Sequence, residues 1–150
     1  MALVSEHLWD FTPASYAHES IRPDKYIRDI RKDSRGYVWS GGYYNLKRIN
    51  VQTKDIRLYH GLHSVTAIIE KDDKSMWIGT ATGLFLLDIE SGKYERIQLP
   101  VESTYVYSLY QTKQGSLYIG TSGSGVLIYD PQTKLFTHYY TGNCAMISNN

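Results

Sequence analysis

Five histidines, a single cysteine and a scatter of carboxylates are the residues of this chain with reactive chemistry to offer. Only His60 and His63, in the run HGLH, stand at a spacing that could share a metal ion. A zinc site would need further ligands at compatible positions, and the run lies between two strand-like segments, so loop histidines are the expectation. Asp88 and Asp130 invite comparison with the paired carboxylates of glycoside hydrolysis. They fall, however, at the same place in two copies of a repeated segment, with Asn50 at that place in a third. There a side-chain oxygen can bond the backbone N–H groups just ahead, which is turn chemistry. Gly123–Ser124–Gly125 is followed neither by Lys-Ser/Thr nor by a helix-like segment, so it does not read as a phosphate loop. Cys144 has no second cysteine to pair with and no histidine at an interpretable place to activate it. The expectation is a chain without catalytic residue, metal or cofactor, and therefore not an enzyme.

Recognition is the chemistry that remains. Fourteen tyrosines are many for 150 residues. A flat ring with a polar tip suits a ligand that has both apolar and hydroxylated faces, as sugars do. Most of these rings read as strand packing, because aromatic residues favour strands. Tyr43 and Tyr44 differ, since they replace the small residues Ala81 and Thr82 of the next copy. A loop that departs from its siblings is a place for specificity, and these two are the ligand-contact candidates; covering a sheet edge is their plainer role.

The elements that would position such residues come in three copies. Trp39, Trp77 and Tyr118 anchor them, 38 and then 41 residues apart. Twelve residues before each anchor stand Ile27, Val65 and Val106; two after stand Gly41, Gly79 and Gly120. Leu46, Leu84 and Val126 follow, then Asn50, Asp88 and Asp130. A period near 40 residues belongs to propeller blades or helical solenoids. Runs such as YVYSLYQ, SLYIGT and GVLIYD are short, β-rich and bounded by turn residues, which excludes the helical option. Each copy offers four runs. The third is almost continuously apolar in two copies, as in Leu84–Leu87 and Val126–Tyr129, and predicts burial on both faces. A four-stranded antiparallel sheet stacked between two like sheets has that property.

The turns agree. Gly92 suits a left-handed position closing the hairpin between the third and fourth runs, where Lys54 and Lys134 stand in the other copies at some cost. Gly36 and Gly115 read as turn residues between the first and second runs, whereas Lys74 in that place predicts a different turn. The glycines at 41, 79 and 120 predict close backbone approach beside a crowded inner strand.

Bulk properties narrow the function classes. Sixteen basic and fifteen acidic residues are interspersed and leave a net charge of +1, without the basic excess of a nucleic-acid binder. The start MALVSEHLWDF lacks the pattern of a signal peptide, and the longest apolar stretch, GLFLLDI, is far too short to span a bilayer. No membrane contact is expected from this segment. The organisation read from the repeat is an N-terminal segment 1–25, which holds WDF as a strand of a preceding blade, repeats at 26–60, 61–99 and 100–142, and a lead-in to a further repeat at 143–150. The fold class expected is all-β: a partial propeller of about three blades, a fragment of a larger ring, whose open faces favour self-association or a homodimer.

RDIRKDSRGYVWSGG, MWIGTATGLFLLD, LYIGTSGSGVLIYD and the closing MISNN resemble the two-component-regulator propeller repeat over roughly residues 24–150. The first copy departs from the pattern with SGGYYNL, and the third with Tyr118 in place of tryptophan. The resemblance implies the periplasmic sensor region of a Bacteroidetes hybrid two-component system. Such proteins join large propellers to an Ig-like domain, one transmembrane helix and cytoplasmic kinase, receiver and DNA-binding parts. It further implies oligosaccharide sensing in the regulation of polysaccharide utilisation. Nothing in this chain resembles the kinase part. A structural or protein-interaction propeller without a small ligand is the alternative.

Overall fold

The computed structural model describes residues 26–140. The segment 1–25, the lead-in at 143–150 and Cys144 lie outside the described residues. Twelve strands and no helix occupy the described part. They are β1 (Ile27–Lys32), β2 (Val38–Gly42), β3 (Leu46–Ile49), β4 (Ile56–Tyr59), β5 (Val65–Glu70), β6 (Ser75–Thr80), β7 (Gly83–Asp88), β8 (Tyr94–Ile97), β9 (Val106–Gln111), β10 (Leu117–Thr121), β11 (Val126–Asp130) and β12 (Leu135–Tyr139). They form three separate four-stranded sheets, β1–β4, β5–β8 and β9–β12, each antiparallel and each in sequence order. This is the architecture of propeller blades.

Turn chemistry explains why each sheet pairs within itself. Between the third and fourth strands the backbone N–H of Lys54, Gly92 and Lys134 donates to the carbonyl of Asn50, Asp88 and Asp130, at 2.8, 2.9 and 2.8 Å. The three donors have φ of 66°, 73° and 60°, so the left-handed conformation is required in every copy. Only the middle copy meets it with glycine, and a side chain there costs about 1–2 kcal/mol. Lys54→Gly and Lys134→Gly are each expected to gain up to about 1 kcal/mol, once the added freedom of the unfolded chain is subtracted. Gly92→Ala, whose new Cβ would meet nothing closer than 3.5 Å, should lose about as much from backbone strain alone. Denaturant midpoints of the three variants check both signs. At the other hairpins Gly36 and Gly115 have φ of 89° and 96°, and Lys74 does not share that conformation. Its turn closes instead on Asp72, which accepts from the Lys74 N–H at 3.0 Å.

Packing follows the alternation of side chains along each strand. The anchor and the glycine two residues on point forward, toward the next sheet, and their neighbours point back. Trp39, Leu46 and Tyr59 of the first sheet therefore share one buried cluster with Leu62 of the β4–β5 connection and Val65, Ile68, Met76, Ile78 and Leu87 of the second sheet. Ala67, Trp77 and Leu84 of the second share another with Val106, Leu109, Leu117, Ile119 and Leu127 of the third. The two clusters are the two joints between blades.

The forward glycine is the key to each joint. A Cβ built on Gly41 would overlap the Val65 side chain, and one on Gly79 would lie 2.7 Å from Val106 Cγ1. The first residue of each inner strand thus sits in the space that the preceding blade leaves open. Polar links reinforce the first joint. Ile68 N–H donates to Asp29 Oδ2 at 2.7 Å, Ser34 N–H to Glu70 Oε2 at 2.8 Å, and Tyr59 Oη–H to the Ile89 carbonyl at 3.0 Å. Arg57 donates to the Glu90 carbonyl at 2.6 Å.

Burial on both faces, expected of the third strands β7 and β11, holds for β7 only. Leu84 and Leu87 of β7 are fully buried, one toward each neighbour. On β11, Leu127 is buried against the second sheet, whereas Val126 on the opposite face is 41% exposed. The reason is positional: among the described residues no further sheet covers the forward face of the third one.

Candidate ligand-binding rim

Tyr43 and Tyr44 lie in the loop between β2 and β3. The connections from β4 to β5 and from β8 to β9 open on the same rim of the stack. A backbone thread ties this rim together. Tyr43 N–H donates to the Tyr26 carbonyl at 3.2 Å, Ser64 N–H to the Tyr43 carbonyl at 2.9 Å, and Ala81 N–H to the Ser64 carbonyl at 3.1 Å. In the third sheet Ser122 N–H donates to the Tyr105 carbonyl at 2.9 Å. Each inner strand is therefore held at its entry to the loop of its own blade, and the first two blades are held to each other.

The two candidate tyrosines pack on one another edge to face, with ring centroids 4.9 Å apart. Tyr43 remains half exposed and Tyr44 is partly buried. His63 Nδ1 lies 2.7 Å from the Tyr44 carbonyl, which ties this loop to the β4–β5 connection. Within HGLH, Leu62 is buried in the first joint while His60 and His63 face solvent. Among the described residues no three histidine, cysteine or acidic side chains come together as a metal-binding group.

Asp88 and Asp130 are occupied at the opposite rim. Asp88 Oδ1 accepts from Ser91 N–H and Ser91 Oγ, both at 2.7 Å. Asp130 Oδ1 accepts from Gln132 N–H at 2.8 Å, and Asn50 Oδ1 accepts from Gln52 N–H at 3.0 Å. These backbone donors hold both carboxyls below the usual carboxylate range. Each keeps its charge and its turn, and the two belong to different blades.

A second group of residues reaches the rim without any sign in the motif. All three inner strands break register at the same step: between Ile27 and Asp29, between Val65 and Ala67, and opposite Gly120–Thr121 at Val106 and Ser108. The residues skipped are Arg28, Thr66 and Tyr107. A bulge re-aims the side chain it carries, and here the three converge. Arg28 Nη1 donates to Tyr105 Oη at 2.7 Å across 77 residues of sequence. Thr66 Oγ1 donates to the Val106 carbonyl of the next blade. The Tyr105 and Tyr107 rings lie 4.7 Å apart, and Tyr107 is 59% exposed. A planar cation, the exposed Tyr107 ring and the half-buried Tyr105 with its hydroxyl on one lip can stack on a flat ligand face and bond its hydroxyl or carboxylate groups. The available signal was that this slot holds Arg, Thr and Tyr where the adjoining slot keeps Ile, Val and Val.

The remaining repeat positions are structural in their placement. Trp39 and Trp77 are buried in the joints, Gly41 and Gly79 receive the next inner strand, and Tyr118 and Gly120 lie on the uncovered forward face. Asp33 is a buried carboxylate that the repeat alignment does not single out. It accepts from Arg35 N–H, Tyr37 N–H and Trp39 Nε1–H at 3.0, 2.9 and 2.9 Å, and so fixes both the first turn and the tryptophan ring.

Three stacked four-stranded sheets with forward tryptophans and a loop-built rim define a segment of a β-propeller. The family model described as two component regulator propeller matches residues 100–123, which cover β9 and β10. Among solved structures, the chain is similar to the extracellular domain of a hybrid two-component system of Bacteroides thetaiotaomicron. The TM-score is 0.64 at 20% identity, over 74% of this chain and 16% of that one. A second such domain from B. thetaiotaomicron gives a TM-score of 0.67 at 22% identity, over 89% of this chain and 19% of that one. A WD40 β-propeller domain gives 0.61 at 20% identity, over 84% and 41%. The chain thus spans less than a fifth of the length of either extracellular domain. A search of curated proteins finds no match to this sequence.

Proposed function

We propose that this chain is part of the periplasmic sensor region of a hybrid two-component regulator, and that its rim contributes to recognition of an oligosaccharide. The repeat at 100–123 and the likeness to extracellular domains of hybrid two-component systems support the sensor reading. The observation that carries the ligand reading is the meeting of Arg28, Tyr105 and Tyr107 at the lip, with Tyr43 and Tyr44 along the same rim. No step of catalysis is assigned to the chain. The rim binds and orients, and occupancy alters how the blades pack, which is the change a downstream kinase would read.

Isothermal titration of the full chain, and of the longer protein that contains it, with neutral and uronic-acid oligosaccharides tests this. Arg28→Ala should weaken binding about tenfold to a hundredfold through loss of a charge-assisted bond. Tyr107→Ala should weaken it several-fold through loss of ring stacking. Both residues are exposed, so the thermal midpoint should stay unchanged. Binding that is insensitive to both variants would move the site elsewhere. Silence of the longer protein toward every oligosaccharide would favour a protein-interaction propeller instead.

A further inference from the structure

Toward the rim that carries Asp88 and Asp130, one corner of the first joint departs from the repeat at four positions together. Arg48 pairs with Trp39 where Leu86 and Ile128 pair with Trp77 and Tyr118. Arg57 lies across from Arg48 where Glu95 and Thr137 lie across from Leu86 and Ile128. Tyr37 replaces Ser75 and Ser116, and Arg35 replaces Asp73 and Gln114. In the second joint this corner is an open recess of about 330 Å³, with Ser75, Leu86 and Glu95 in its lining. In the first joint three guanidinium groups gather there around a single carboxylate. Arg35 Nη1 and Arg48 Nη1 lie 3.6 and 3.7 Å from Glu90 Oε1, too far for hydrogen bonds, and Arg57 is held by the Glu90 carbonyl. Arg48 and Arg35 also lie against the Tyr37 ring, 4.5 and 5.7 Å from its centroid. The Arg48 side chain is only 12% exposed, and its buried Nη1 has no hydrogen-bond partner among the described residues. Asp33, the buried carboxylate of the same turn, is occupied by two backbone N–H groups and the Trp39 indole. A buried charged donor left unbonded is costly, and the sibling sheets show that an apolar residue fills this slot.

We propose that this corner binds a small oxyanion, a phosphate or sulfate group, between Arg35 and Arg48. Glu90 is the placeholder. Its side chain is 72% exposed, stands on a turn and hydrogen-bonds neither guanidinium. An oxyanion with several acceptor oxygens gives Arg48 Nη1 the partner that the Glu90 carboxylate does not supply, and a forked guanidinium takes two oxygens at once. Beside the pair, a recess of about 90 Å³ lined by Arg35, Gly36, Tyr37, Asn50 and Gln52 admits one compact group. The Glu90 side chain swings into solvent as the anion enters, while its carbonyl keeps Arg57 in place. The corner is built entirely within the joint of the first two blades, on the rim away from Arg28 and Tyr107, and it stands apart from the oligosaccharide reading.

Nuclear magnetic resonance of the arginine Nε–H groups tests the proposal, in the full chain titrated with sodium phosphate or sodium sulfate while sodium chloride holds the ionic strength constant. The Arg35 and Arg48 signals should shift together and saturate, and the thermal midpoint should rise with anion concentration. Arg48→Leu installs the residue of the second sheet, so it should fold by circular dichroism and weaken binding about tenfold to a hundredfold. Arg35→Gln, the third copy's residue at an exposed turn, should weaken it to a similar degree. Glu90→Gln should tighten it several-fold, because the resident carboxylate no longer competes. A sulfated or phosphorylated monosaccharide that binds more tightly than the inorganic ion assigns the group to a carbohydrate ester; equal or weaker binding assigns it to the free ion. Shifts that never saturate, binding that survives both arginine variants, or a Glu90→Gln variant with unchanged affinity would each overturn the proposal.

Discussion

Trp77→Ala is expected to cost about 3–5 kcal/mol, the range for deleting a large buried aromatic ring. The ring is 1% exposed and meets Tyr129 of the next blade edge to face at 5.9 Å. Its Nε1–H donates to Gln111 Oε1 at 2.9 Å, and Gln111 Nε2 in turn donates to the Lys71 carbonyl at 3.1 Å. Alanine would empty the joint and strip the Gln111 oxygen of its donor. Against a total near 5–15 kcal/mol for a domain of this kind, that is a large share. Tyr118→Ala is the control, because it occupies the same repeat slot on the uncovered face; its cost should stay within about 1 kcal/mol. Urea titrations of the two variants measure the difference, at concentrations where the chain is monomeric. Equal costs would mean that the anchor works inside its own sheet and not at the joint.

Gly79→Val should be comparably damaging for the opposite reason. A new Cβ would stand 2.7 Å from Val106 Cγ1 and 3.3 Å from Ala67 Cβ. Val106 is fully buried and β-branched, so its ring of neighbours and its stiff χ1 leave it nowhere to turn. Overpacking a filled core costs about 1–3 kcal/mol where the backbone can yield, and valine adds three carbons here. Here the yielding element is the inner strand β9, so the joint itself must open. The companion variant Val106→Ala should make room, and the pair should be less costly than the sum of its parts by about 0.5–3 kcal/mol. Strict additivity would show that the two side chains do not share this space.

These two positions also show what could be read from the sequence. The anchors, glycines and turn residues recur because every blade solves the same packing problem, and a repeated solution is visible as a period. The left-handed turn positions at Lys54, Gly92 and Lys134 were legible for that reason, with glycine in only one copy. Which face of a sheet meets which neighbour was not legible. Alternation alone gives two faces without saying which points forward, so Val126 read as buried like Leu84 although it is exposed.

The rim was legible in part. Tyr43 and Tyr44 stood out by breaking the pattern. Arg28 and Tyr105 did not, because their contact exists only after two intervening joints have set the arc of the stack. Asp33 escaped for a different reason: a carboxylate in a turn reads as solvated, and its burial depends on the indole that it holds.

Cross-strand nuclear Overhauser effects in the isotopically labelled full chain test the stacked-blade account most directly. Contacts are predicted between Trp77 and Leu86, between Trp39 and Arg48, and between Tyr118 and Ile128, all within single repeats. Side-chain contacts from Val106 to Gly79 and from Val65 to Gly41 should join neighbouring repeats. Backbone pairing of a strand from one repeat with a strand from another would contradict the account.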